Sequence, residues 1–214
     1  MRKLVLILIL PLFVVLSCKK EKETTYNPPA NVVDLSWSQS ERDSIMAGDT
    51  SLALRIYLTT SYADSLVLRK QSKNVVPDSN DVVLQTLINR MYDAMISTGG
   101  VGIAAPQVGI NRNIAWVKRQ DKPGRPNECY INLKISMTSI IEINFLNDGC
   151  LSVPVPASGK TKRFRAVGIE YDLLDGTHVS EVVDGYTSTQ FTAVCFQHEI
   201  DHLNGILYID RIVP

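Results

Sequence analysis

His198-Glu199-Ile200-Asp201-His202 holds two of the three histidines in this 214-residue chain. On a helix, residues four apart share a face about one turn apart, so both imidazoles can bind one metal ion while Glu199 reaches a water on it. A helical segment and a metallohydrolase are therefore the first reading. A thiol lies upstream in Asp148-Gly149-Cys150-Leu151-Ser152. With Cys150 as thiolate and His198 and His202 as neutral imidazoles, three protein ligands leave a fourth position for water. A bound metal lowers the pKa of that water toward neutrality, and Glu199 is placed to take its proton and return it to a leaving amine. Cys195, one turn before His198, either adds a ligand or packs in the core or pocket wall, as free cysteines commonly do.

Outward from this motif, the helix is expected over Thr187–Leu203, stopped by Asn204-Gly205. A second helix is expected from Asp81 to Ser97, where Leu84, Leu87, Ile88, Met91 and Met95 recur at helical spacing, Asp81 offers an N-cap and Gly99-Gly100 a stop. A short one is expected over 36–47. Strand-forming runs occupy Asn113–Lys118, Cys129–Leu133, Ser139–Phe145, Ala166–Asp172 and His178–Val183, with Asp175-Gly176 as a hairpin signal between the last two. Strands around a helix that carries the metal site predict an α+β fold, mostly antiparallel strands packed around a central helix.

A third segment, Gly100-Val101-Gly102-Ile103-Ala104-Ala105-Pro106-Gln107, follows the second of these helices. Alone it would be an ordinary glycine-rich turn. In order, the three segments resemble the peptide deformylases, whose motifs read G-x-G-x-A-A-x-Q, E-G-C-L-S and H-E-x-D-H, and the likeness runs from about Asp64 to Arg211. The resemblance implies removal of the N-formyl group from formyl-methionyl peptides with one divalent metal, Fe(II) in the family, though the donor set also suits Zn(II). By position it implies Cys150, His198 and His202 as metal ligands, Glu199 as general acid/base, and Gln107 with the Leu151 backbone N–H as oxyanion donors. Gly102 matches a point of close approach by the peptide backbone. Val101, Leu146, Phe191, Val194 and Cys195 match the pocket for the methionine side chain, or are plain core.

The chain departs from the family pattern in four places. Asp148 stands where Glu is usual, and its expected partner Arg163 falls one residue late after Cys150. Asn132-Leu133 replaces Asn-Pro, and the loop Val155–Gly159 carries no arginine to grip a longer peptide. The shortened acid leaves open a non-catalytic peptide-binding lipoprotein on the same fold; a different amide hydrolase is a third reading, because the residues alone supply only metal-assisted attack on a carbonyl.

At the N-terminus, Arg2 and Lys3 precede an apolar run from Leu4 to Leu16, too short for a comfortable membrane span and suited to a secretory signal. Val15-Leu16-Ser17-Cys18 resembles a bacterial lipobox, in which the cysteine becomes the lipidated first residue; a plain cleaved signal or an uncleaved anchor are the alternatives. The expected organisation is a signal peptide over 1–17, a lipid-anchored tether over 18–35 and a catalytic domain over 36–214. That places the protein in the cell envelope, with the membrane and an N-formylated peptide as partners. Lys+Arg and Asp+Glu are both 22, so no basic excess points to nucleic acid. Cys129 and Cys195 remain, a pair too few for a disulfide framework.

Overall fold

The computed structural model describes residues 35–146, 148–154 and 159–213. Cys18, the signal segment, the tether up to residue 34 and residues 155–158 of the loop after Pro154 lie outside the described residues. The elements are helices α1 (Gln39–Met46), α2 (Tyr62–Leu68), α3 (Val82–Ser97) and α4 (Thr192–Leu203), and strands β1 (Gly102–Ala104), β2 (Ile114–Lys118), β3 (Asn127–Thr138), β4 (Glu142–Leu146), β5 (Lys160–Phe164), β6 (Ala166–Asp172), β7 (His178–Asp184) and β8 (Ile212–Val213). Short 3-10 turns occupy Ala105–Val108 and Tyr208–Arg211. No described helix is long and apolar enough to cross a membrane.

Helix α3 starts at the expected cap: the Asp81 carboxylate accepts from the Val83 and Leu84 N–H groups, and the Trp37 indole N–H donates to it at 2.7 Å. Its stripe of Leu84, Leu87, Met91 and Met95 is fully buried with Ile45 of α1 and with Ile114 of β2. Each such side chain contributes about 1.5–3 kcal/mol relative to exposure.

Five strands pair antiparallel in the order β1-β2-β3-β6-β7, and β4-β5-β8 form a second antiparallel sheet. Alternation along β2 explains how the larger sheet is covered on both faces: Ile114 and Trp116 pack toward α3, whereas Ala115 and Val117 pack with Phe196, Ile200 and Leu203 of α4. All twelve residues of α4 are buried, so it is the central helix, and its polar side chains must find partners inside the protein. Gln197 does so by bonding both backbone groups of Phe164 at 2.8 Å, which ties β5 to the helix.

The α+β architecture is the expected one, with boundaries moved where local bonds compete. Helix α4 begins at Thr192 rather than Thr187, because the Thr187 hydroxyl and N–H both bond to Gln190 and close a separate turn. Strand β3 runs five residues past Leu133, and a turn in which the Ser139 hydroxyl donates to Ile141 O delays β4 to Glu142. Helix α2 and the short strands β1, β5 and β8 carry too little periodicity to be read from sequence. The hairpin at Asp175-Gly176 forms as read, with Gly176 at a φ of 86° and the Thr177 N–H on the Asp175 carboxylate.

Candidate metal centre

One turn of α4 separates His198 from His202, and the loop after β4 brings Cys150 against them. The Cys150 Sγ lies 3.2 Å from His202 Nε2, and the ligand atoms of the three residues all fall within 4.8 Å of one another. A tetrahedral site with one sulfur and two nitrogens places its donors roughly 3.3–3.8 Å apart, close to the Cys150–His202 separation, so the three residues are a group that could hold one divalent ion. His198 Nδ1 bonds to Asp148 Oδ1 at 2.8 Å, which leaves Nε2 as its ligating atom. Cys195 is outside this set; its thiol donates to Val101 O at 3.5 Å.

Asp148 answers the question its shorter side chain raises. Besides His198, it accepts from Arg163 Nε at 3.1 Å and Nη2 at 2.7 Å and from the Thr161 hydroxyl at 2.8 Å. The late position of Arg163 therefore does not prevent the pair. Arg163 also meets Asp201 at 2.5 Å, and Asp201 pairs with Arg211, so a chain of alternating charges runs under the metal ligands. Burial pushes the Asp148 carboxyl up, but the His198 and Arg163 bonds outweigh it and hold the group well below the usual carboxylate range. Burial and the His198 charge push His202 down; burial also opposes the charged form of His198, but Asp148 and Cys150 raise it on balance. Ligation requires both imidazoles neutral, with His198 then donating its Nδ1 proton to Asp148.

Glu199 is 3% exposed, and burial raises its carboxyl to about 7; His198 and Arg163 pull it down and Asp148 pushes it up. Its Oε2 and the Nδ1 of His202 are buried without a protein partner. Gln107 is set by the 3-10 turn: its Oε1 accepts from Ala104 N at 2.8 Å, which turns its Nε2 toward Cys150 Sγ at 3.8 Å and the Ser152 hydroxyl at 3.3 Å.

A cavity of about 380 Å³ opens on this group. Val101, Phe191, Val194 and Cys195, four of the five side chains matched to the methionine pocket, line it, and so do Gly102 and Leu151. Leu146 does not: it is 56% exposed, and the preceding residue, Phe145, faces the cavity with its ring 5.8 Å from that of Phe191. Strand alternation puts neighbours on opposite faces, so a displacement of one residue exchanges lining for solvent. Sequence reasoning also missed Thr161, Asp201 and Arg211. Asp201 stood within the motif, but its partners are joined to it only by folding. Cys129, Cys150 and Cys195 are all free thiols, and burial pushes Cys129 up to about 12.

A thiolate and two imidazoles beside a buried carboxylate, at the mouth of an apolar cavity on an α+β frame, define a metal-dependent hydrolase. Residues 57–214 match the family model described as Polypeptide deformylase. A peptide deformylase of Synechocystis sp. is 36% identical over 156 residues, 72% of this chain and 79% of that protein. One from Thermotoga petrophila is 37% identical over 148 residues, 69% of this chain and 82% of its own length. Among solved structures, the Thermotoga maritima peptide deformylase superposes with a TM-score of 0.64 at 34% identity, covering 76% of this chain and 99% of that one. The actinonin-bound class I type b enzyme of Acinetobacter baumannii gives 0.64 at 31% identity, covering 76% and 100%. The chain belongs to the peptide deformylase family, and it is a metal-dependent enzyme of that kind.

Proposed function

We propose that this chain hydrolyses the N-formyl group of formyl-methionyl peptides while held at the cell envelope by a lipid on Cys18, and that its substrates are formylated peptides met there rather than nascent chains. The observation that carries the catalytic part is the convergence of Cys150, His198 and His202 with Glu199 and Gln107 on one cavity. When bound, a divalent metal supplies Lewis acidity and brings a water toward ionisation at neutral pH. Fe(II) follows from the family, and Zn(II) suits the same donors.

The chain's own groups supply the rest. Glu199, buried and near neutrality in its proton affinity, takes the proton of the attacking water and returns it to the departing amide nitrogen. Water adds its oxygen to the formyl carbon, the C–N bond breaks, and formate and a free amino terminus result. Gln107 Nε2 and the Leu151 N–H donate to the formyl oxygen as it gains negative charge. Val101, Phe145, Phe191, Val194 and Cys195 receive the methionine side chain. Asp148, the one sequence feature that favoured a binding-only lipoprotein, reaches both His198 and Arg163, which favours catalysis.

The test is the purified full chain with defined metal, offered formyl-Met-Ala-Ser and its acetylated and unblocked analogues. Formate release from the first alone is expected. Binding of all three without turnover would favour the binding-only reading, and release of acetate or of amino acids would make it a different amide hydrolase.

A further inference from the structure

Gly102 sits in β1, paired with Val117, and its φ lies outside the left-handed region, so its backbone conformation does not require glycine. The space around it does. A Cβ built there would lie 2.3 Å from Glu199 Oε1, 2.9 Å from Glu199 Cδ and 2.9 Å from Cys195 Sγ. The conflict is with the ends of two side chains and not with backbone. One of them is the carboxylate of the proposed acid/base.

We propose that Gly102 is a positioning residue: the missing side chain at this point is the volume that admits the Glu199 carboxylate beside the metal ligands. This rests on the reading of Glu199 as acid/base, and it adds a determinant of where that carboxylate sits. Glu199 is buried but lines the cavity, so a methyl group at 102 is accommodated by displacing its carboxylate. It emerges from a helix whose every residue is buried, and its Oε2 touches no donor that would pull it back after displacement. With a methyl group at 102, van der Waals contact at about 3.3 Å would require the carboxylate oxygen to retreat by roughly 1 Å, a shift able to cost on the order of 100-fold in rate. Cys195 can turn its thiol away about a single bond, so Glu199 bears the larger consequence.

A peptide backbone passing close to residue 102 would also call for glycine, and the two causes separate in a double-mutant cycle. The full chain is compared as wild type, Gly102→Ala, Glu199→Ala and the double variant, with metal content, kcat, KM and thermal midpoint measured for each. Clearance predicts that Gly102→Ala lowers kcat about 100-fold with Glu199 present and changes it less than about 3-fold with Ala at 199, metal content being equal throughout. It also predicts that the thermal midpoint falls on Gly102→Ala in the wild type and is restored in the double variant, because Glu199→Ala vacates the contested space. If Gly102→Ala does not fold alone but the double variant does, the steric conflict is supported directly. Equal losses in both backgrounds, a rise in KM with kcat unchanged, or failure of both to fold would overturn it. A Glu199→Ala variant with near-normal turnover would instead remove the acid/base reading, and the thermal cycle would still report on the clearance.

Discussion

At the scale of single residues, the candidate ligands were legible because chemistry restricts them: few residue types bind such a metal, and four-residue spacing has one helical meaning. What surrounds them was less so. Phe145 and Leu146 are equally apolar in sequence, and only the pleat of β4 decides which faces the cavity. Glu199→Ala is expected to keep the metal by elemental analysis and lose at least ~100-fold in kcat; near-normal turnover would show that the base is elsewhere. Asp148 is the sharper case. From sequence, Asp148→Glu should be tolerated or mildly improving, since Glu is usual there. The distances argue against improvement, because Asp148 already meets His198, Arg163 and Thr161 between 2.7 and 3.1 Å. A further methylene in so packed a place costs about 1–3 kcal/mol. Asp148→Ala should cost more, about 3–5 kcal/mol in stability and 10–100-fold in metal affinity, by leaving Arg163 short of a partner and His198 without an orienting acceptor. Unchanged metal affinity and melting in Asp148→Ala would remove the supporting role given to this carboxylate.

Among elements, α3 and the β6–β7 hairpin were readable because their signals are local: a periodic stripe with a cap, and a turn dipeptide between alternating runs. The strands β1 and β8 are three and two residues long and exist only because neighbours pair with them. Helix α1 carries a stabilising bond to a residue far along the chain. Ser38 and Glu41 form the capping box, but Glu41 also bonds the buried Arg112 at 2.6 and 2.8 Å. Burial pushes this carboxyl up, yet the bonds from Arg112 and Ser38 lower it from 4.5 to about 2. A folded value below the unfolded one stabilises the protein above pH ~4.5, and the contribution is lost as pH falls toward 2. Glu41→Gln should therefore lower stability at pH 7 by about 1 kcal/mol, kept small by residual exposure, or about 2–4 °C in thermal midpoint. The difference from wild type should shrink as the pH of the melt is taken down through 4 to 2. A constant difference across that range would mean that the charge of Glu41 contributes nothing and only its hydrogen-bonding shape matters.

Taken whole, the molecule would divide by task along the sequence if the proposed anchor at Cys18 is used. The family match begins at residue 57, yet Trp37 and Ile45 ahead of it are buried in the α3 core, and Arg112 bonds back to Leu35 O at 2.9 Å. Residues 35–56 thus belong to the body of the domain. Every proposed catalytic and ligand residue lies between 107 and 202. Address and chemistry should consequently separate by mutation. Cys18→Ser is expected to abolish incorporation of labelled fatty acid and to leave unprocessed precursor or soluble protein in cell fractionation. The same protein, purified with metal, should retain wild-type kcat/KM on a short soluble formyl peptide, since no site residue is touched. In cells, its access to formylated peptides at the envelope should fall while the enzyme itself stays competent. Wild-type protein found soluble in the cytoplasm with residues 1–17 retained would overturn the anchor, and would return the substrate to nascent chains at the ribosome.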